Sequence, residues 1–77
     1  MRKSDPLIDI ANARSLAASG AARSIRLAAR LTLTEIGNEV GVTASAVCRW
    51  ERGERSPRGD AAREYGRLLR DLMERPR

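Results

Sequence analysis

Hydroxyl and guanidinium groups recur at short intervals in the middle of this 77-residue chain, and such groups bind anions through several hydrogen bonds at once. Thr43 and Ser45 carry hydroxyls, and Arg49 follows about one helical turn later. The next three arginines along the chain are Arg52, Arg55 and Arg58. Because an arginine fork fits a phosphate or the edge of a guanine, this segment is suited to binding nucleic acid.

The charge balance of the whole chain is compatible with this interpretation. The net charge is +5, and Lys3 is the only lysine beside the arginines. An excess of positive charge favours nucleic acid or an acidic surface as a partner. It is equally common in domains that use charge for solubility alone, so charge by itself leaves both interpretations open.

Catalytic chemistry finds little support in the residue types. The chain has no histidine and a single cysteine, Cys48, which excludes an internal disulfide, a usual zinc site and a Cys–His nucleophile pair. The carboxylates are interspersed with arginines, as on a salt-bridged surface. We therefore expect no enzymatic activity, no metal and no cofactor. Cys48 is expected to be a small helix residue in a reducing cytosol.

Two short helices must position these groups, and the first of them is marked at both ends. Thr32 and Glu35 have the spacing of a capping box. The apolar residues that follow at helical spacing are Leu33, Ile36 and Val40. Gly41 is expected to end this helix, because glycine adopts a left-handed backbone without steric cost.

The second helix begins with Thr43 as its cap. Its apolar positions are Ala46, Val47 and Trp50. Gly53 is expected to end it, and Pro57 prevents its continuation. Two short helices around a glycine corner form a helix-turn-helix unit, although such pairs also occur in all-α proteins that do not bind DNA.

Residues 31–57 closely resemble the corresponding segment of the phage repressor and Cro family. The matching positions are Leu31-Thr32, Glu35-Ile36-Gly37, Val40-Gly41-Val42-Thr43, Val47, Trp50-Glu51-Arg52-Gly53 and Pro57. The resemblance implies a compact all-α, five-helix, lambda-repressor-like domain that regulates transcription on double-stranded DNA. Two positions depart from the family. Leu33 stands where a glutamine usually holds a phosphate, and Gly37 replaces a usual alanine, which weakens the helix by roughly 1 kcal/mol.

The resemblance also assigns roles to individual residues. The recognition helix, about residues 43–52, is expected in the major groove, with base contacts from Ala44, Ser45 and Arg49. Phosphate contacts are expected from the helix N-termini and the following loop, namely from Thr32, Leu33, Thr43, Arg52, Arg55 and Arg58. Alignment without gaps places a partly buried ion pair on Arg26 and Glu51. Because modules of this size bind weakly, we expect a homodimer on a two-fold site.

A second resemblance leaves an alternative open. The segment Leu31 to Thr43 is also similar to region four of bacterial sigma factors, in which Glu-Ile-Gly is usual. Sigma factors continue with a basic helix, whereas this chain has Gly53 and Pro57 there, which favours the repressor type. A protein-interaction module of the same fold, binding a polymerase or a toxin, remains the alternative function.

The N-terminal part is expected to form a loose tail over residues 1–5 and an extra helix over 6–18. Asp5 caps this helix and Pro6 occupies its first position. Its apolar face would comprise Leu7, Ile10, Ala11, Ala17 and Ala18, and would pack on the core or form a dimer surface. The repressor-like core would then span residues 20–73 of a single domain, 1–77.

Two further helices complete the expected core. The first covers residues 20–31, with Arg23, Arg26 and Arg30 on one stripe. The last is capped by Ser56 or Asp60, and i,i+4 ion pairs are expected for Arg67–Asp71 and Arg70–Glu74. Its apolar stripe, which would close the core or form a dimer seam, is Ala61, Tyr65, Leu68, Leu69, Leu72 and Met73. No run approaches the ~18 apolar residues of a membrane span, so we expect a cytoplasmic protein.

Overall fold

The computed structural model describes residues 5–75 and contains five helices in that range. They are α1 (Pro6–Ser19), α2 (Ala21–Ala28), α3 (Leu33–Val40), α4 (Ala44–Glu51) and α5 (Gly59–Glu74). No strand occurs among these residues, so the predicted all-α fold is confirmed. The predicted tail of residues 1–5 lies outside the described range except for Asp5. No helix in the described range has the length and apolar character that crossing a membrane requires.

The starts of α1 and α3 and the end of α3 lie where the cap residues predict them. Asp5 Oδ1 accepts a hydrogen bond from the Leu7 N–H at 2.9 Å. The capping box at the start of α3 is complete, because Thr32 Oγ1 accepts from the Glu35 N–H at 3.0 Å and Glu35 Oε1 accepts from the Thr32 N–H at 2.9 Å. Gly41, with φ of 82°, ends α3.

The hydrophobic core lies where all five helices meet. Trp50 of α4 and Tyr65 of α5 pack with ring centroids 4.8 Å apart. The buried apolar residues of the core are Ala13, Ala17, Ala22, Ile36, Val40, Val47, Trp50, Ala62, Tyr65 and Leu69. The prediction that the last helix closes the core is therefore confirmed for Tyr65 and Leu69, whereas Met73 is 59% exposed.

The helices α1 and α5 touch backbone to backbone. A Cβ at Gly66 would collide with the carbonyl oxygen of Asp9, so only glycine fits at this crossing. Asp9 is itself 2% exposed, and its Oδ1 accepts from Arg70 Nη1 at 3.1 Å. A small-residue contact and a partly buried ion pair together fix the extra helix on the core.

The predicted apolar face of α1 was wrong in part. Ala17 is buried as expected, but Leu7, Ala11 and Ala18 are exposed. Asp9 and Ala13 face the core instead. The reason is the close approach to α5, which accommodates small side chains and supplies Arg70 as the partner of Asp9.

Two predictions for α2 also need correction. The helix ends at Ala28, not near residue 31, because Arg30 has a left-handed backbone with φ of 60°. Arg26 is buried, so it does not belong to an exposed stripe with Arg23 and Arg30.

The predictions for the N-cap of α5 and for the ion pairs on its solvent-exposed face were wrong. Its N-cap is Arg58, without a side-chain hydrogen bond, and neither Ser56 nor Asp60 acts as the cap. The predicted pairs Arg67–Asp71 and Arg70–Glu74 are replaced by Arg67–Glu64 at 3.7 Å and by Arg70–Asp9 at 3.1 Å. Arg70 turns toward α1 because a buried carboxylate binds it more strongly than an exposed one.

Candidate nucleic-acid interface

The turn between α3 and α4 is tight and is held by main-chain hydrogen bonds. The carbonyl oxygen of Gly37 accepts from the N–H groups of Gly41 at 2.8 Å and Val42 at 2.9 Å. A Cβ at Gly37 would lie 2.6 Å from the Val42 carbonyl oxygen. The glycine that departs from the usual alanine is thus the residue against which the turn packs, and α4 is set rigidly on α3.

An ion pair fixes the other end of α4. Arg26 Nε donates to Glu51 Oε2 at 2.7 Å, and Arg26 Nη2 donates to Glu51 Oε1 at 3.0 Å. Arg26 Nη1 also donates to the Leu31 carbonyl oxygen at 3.0 Å. The Arg26 side chain is 11% exposed and the Glu51 side chain is 5% exposed. The hydrogen bond to Glu51 raises the pKa of Arg26 although burial opposes it, so the guanidinium stays charged.

The inner face of α4 is apolar and buried. Val47 is 0% exposed and Trp50 is 5% exposed. Tyr65 packs against Trp50. Burial raises the pKa of the Tyr65 phenol well above the usual range; the Glu51 charge raises this pKa further and Arg26 lowers it. The phenol therefore remains neutral, and no additional charge arises beside the ion pair.

The outer face of α4 carries the predicted base-contact residues. Ser45 and Arg49 are exposed, and Ala44 is half-buried. Ser45 and Arg49 are four positions apart, so they lie on one face of the helix. Within residues 5–75, Arg49 forms no ion pair, which leaves its guanidinium without a carboxylate partner there.

The predicted phosphate contacts at the helix N-termini are accessible in part. Thr32 and Thr43 are exposed, and each hydroxyl oxygen accepts a cap hydrogen bond, which leaves its proton able to donate elsewhere. The Leu33 side chain packs partly buried against the core. Its N–H precedes the first hydrogen bond within α3, so the backbone alone could contact an anion there.

The loop of residues 52–58 presents the remaining predicted arginines. Arg52, Arg55 and Arg58 are all exposed. Arg52 lies 3.7 Å from Glu54 in a solvent-exposed pair, while Arg55 and Arg58 have no ion-pair partner in the described part of the chain. Pro57 is fully buried, so packing of its side chain holds the C-terminal end of the loop in place.

Two contacts of α1 were not expected from the sequence. Arg14 Nε on α1 donates to the Pro57 carbonyl oxygen at 2.9 Å. The partly buried pair of Asp9 and Arg70 orients α1 against α5. No sequence signal predicted either contact, because both contacts join positions that are far apart in the chain.

This arrangement, in which a short helix is anchored on its inner face and exposes polar side chains on its outer face, defines a helix-turn-helix module. A family model described as Helix-turn-helix matches residues 23–70, which is more than half of the chain. The chain belongs to this family, as a DNA-binding protein of the Cro/repressor type. The family consists of transcription regulators and is not enzymatic. Searches of curated proteins and of solved structures found no match.

Proposed function

We propose that this protein is a small Cro-like transcriptional regulator that binds a specific double-stranded DNA sequence with α4 in the major groove. The observation that carries the proposal is the outer face of α4, where Ser45 and Arg49 are exposed opposite a buried inner face and Arg49 has no ion-pair partner among residues 5–75. A rigid helix with free hydrogen-bond donors on one side is what reading base edges requires.

Three residues of α4 would read the bases. The Arg49 guanidinium fits O6 and N7 of a guanine, the Ser45 hydroxyl can bond to several bases, and the Ala44 methyl can contact a thymine methyl. Two of these side chains are small, so direct readout supplies few contacts. DNA shape and deformability would then contribute to specificity.

Phosphate contacts would hold α4 in register. The N-termini of α3 and α4 offer backbone N–H groups and the hydroxyls of Thr32 and Thr43. The loop arginines Arg52, Arg55 and Arg58 would contact the DNA backbone on the other side of the recognition helix. Glu54, which pairs with Arg52, reduces the positive field there.

We infer that the active form is a homodimer. A single module of this size buries too little surface for tight, specific binding, and two copies on a two-fold site double the contacts. The half-sites would lie about 10 base pairs apart, so that both recognition helices face the same side of the duplex.

Two variants separate base reading from phosphate binding. Arg49→Ala should weaken binding to the preferred site by about 1–3 kcal/mol and relax the preference at one base position. Arg55→Ala should weaken binding to every sequence alike and lower the salt slope by about one. Both are measured by titrating preferred and random duplexes at several salt concentrations.

Arg67→Ala is the matched control, because it removes one exposed arginine of α5 outside the proposed interface. Equal losses on preferred and random DNA would remove Arg49 from the base-reading residues. If no variant changed binding and no sequence were preferred, the alternative of a protein-interaction module binding a polymerase or a toxin would be favoured.

A further inference from the structure

The extra N-terminal helix reaches the loop behind the recognition helix through one side chain. Arg14 Nε donates to the Pro57 carbonyl oxygen at 2.9 Å, a partly buried contact between residues 43 positions apart. The Pro57 ring is fully buried as well, so both its side chain and its carbonyl are held. The family match begins at residue 23, so Arg14 lies outside it and its role does not follow from the family.

This hydrogen bond fixes the peptide unit that leads into Arg58. The Pro57 carbonyl shares one planar unit with the Arg58 N–H, so holding the oxygen restrains the whole plane. Arg58 has an extended backbone, with φ of −137° and ψ of 155°, and begins α5 without a side-chain cap. Rotation of the plane would redirect the Cα–Cβ bond of Arg58. The buried Pro57 ring and the hydrogen bond from the Ala62 N–H to the Arg58 carbonyl oxygen at 3.2 Å also restrain this segment, and the Arg14 contact adds to them.

The contact between Arg14 and the loop is not an ion pair. Among residues 5–75, Arg14 has no carboxylate partner, and the loop that it contacts carries Arg55 and Arg58. Placing another cation beside this loop is electrostatically unfavourable. The directional bond from Nε to the carbonyl oxygen is therefore what the side chain contributes.

We propose that Arg14 is a positioning residue, which braces the loop 52–58 against α1 in the arrangement that presents Arg58 to a DNA phosphate. The proposal rests on the proposed DNA binding and gives the extra helix a role in it. α1 can serve as the support because Gly66 and the Asp9–Arg70 pair hold it against α5.

Two substitutions separate the hydrogen bond from the charge. In Arg14→Gln the amide nitrogen takes the chain position of Nε, so the donor is kept while the charge is lost. Arg14→Met has the length of the glutamine variant, with its terminal methyl at the chain position of Nε, but loses both the donor and the charge. Arg67→Met is the matched control, since it removes an exposed arginine that lies away from the loop.

The first readout needs no DNA. Limited trypsin digestion, followed by mass spectrometry, measures cleavage of the Arg55–Ser56 bond in each variant, alongside the urea midpoint. Arg14→Met should speed this cleavage about three- to tenfold, the equivalent of one lost hydrogen bond, and the free energy of unfolding from the urea melt should fall by no more than that fold-change corresponds to. Arg14→Gln and Arg67→Met should stay within about twofold of the unsubstituted protein. An unchanged cleavage rate in Arg14→Met would contradict the proposal that Arg14 holds the loop 52–58 against α1.

The second readout is DNA affinity as a function of salt. Arg14→Met should weaken binding about three- to tenfold, Arg14→Gln should not, and Arg14→Met should add little in an Arg58→Ala background. Equal losses in Arg14→Gln and Arg14→Met, or additive losses with Arg58→Ala, would overturn the positioning role. If the unsubstituted protein showed no salt-dependent binding, the proposed function would fail, and the digestion would still decide whether Arg14 braces the loop.

Discussion

At the scale of single residues, one ion pair determines how the recognition helix is held. Arg26 uses all three of its nitrogens, two for Glu51 and one for the Leu31 carbonyl oxygen. Both side chains are almost fully buried, so water cannot compensate either charge if its partner is removed. The end of α4 therefore depends on a pair whose other member lies on α2.

Glu51→Gln should lower the free energy of unfolding by about 3–5 kcal/mol, because it leaves the Arg26 charge buried without a counter-ion. Urea melts followed by circular dichroism measure the change. Asp71→Asn is the control, because Asp71 is 62% exposed and lies 3.7 Å from Arg70. Its effect should be below about 1 kcal/mol. A Glu51→Gln midpoint equal to that of the unsubstituted protein would contradict the structural role of the pair.

Residues whose contacts are local could be predicted from the sequence. Asp5, Thr32 and Thr43 cap helices as their spacing indicates, since each bonds to a backbone N–H two or three residues away. Arg14 and Asp9 could not be predicted, because their partners are 43 and 61 positions away. The roles of Arg49 and the loop arginines on DNA stay predictions.

At the scale of elements, α1 and α5 form the tightest contact in the fold. Gly66 allows the Asp9 backbone to approach α5 directly, and Ala13 and Ala17 continue the small-residue contact along α1. The periodicity of apolar residues on α1 predicted another face, since it included Leu7 and did not include Asp9. A helix that packs through small residues and a buried ion pair does not follow the usual apolar pattern.

Gly66→Ala should destabilise the protein by about 1–3 kcal/mol, although alanine favours the helix by about 1 kcal/mol over glycine. The reason is that the new methyl group would meet the Asp9 carbonyl oxygen, and the backbone of α1 would have to shift. Ser15→Ala, on the exposed side of α1, is the control and should change stability by less than about 0.5 kcal/mol. A higher urea midpoint for Gly66→Ala would show that the two helices are not in close contact.

At the scale of the whole molecule, the fold separates a buried apolar core from a surface that exposes arginines without ion-pair partners among residues 5–75. Arg49, Arg55 and Arg58 are exposed without ion-pair partners in the described residues, while Arg26 and Arg70 pair with buried carboxylates. The sequence predicted the all-α class and the helix-turn-helix segment, because caps and glycine turns are local signals. It could not predict how α1 docks, since that depends on contacts between distant segments.

The central claim is that this surface reads a specific DNA sequence. It is tested most directly by in vitro selection from random duplex DNA, followed by salt titration of the enriched sequences. We predict an inverted repeat with half-sites about 10 base pairs apart and affinity that falls steeply with salt. A single enriched half-site would contradict the dimer alone. No enriched sequence, together with binding that does not depend on salt, would contradict the claim that the protein is a sequence-specific DNA-binding regulator.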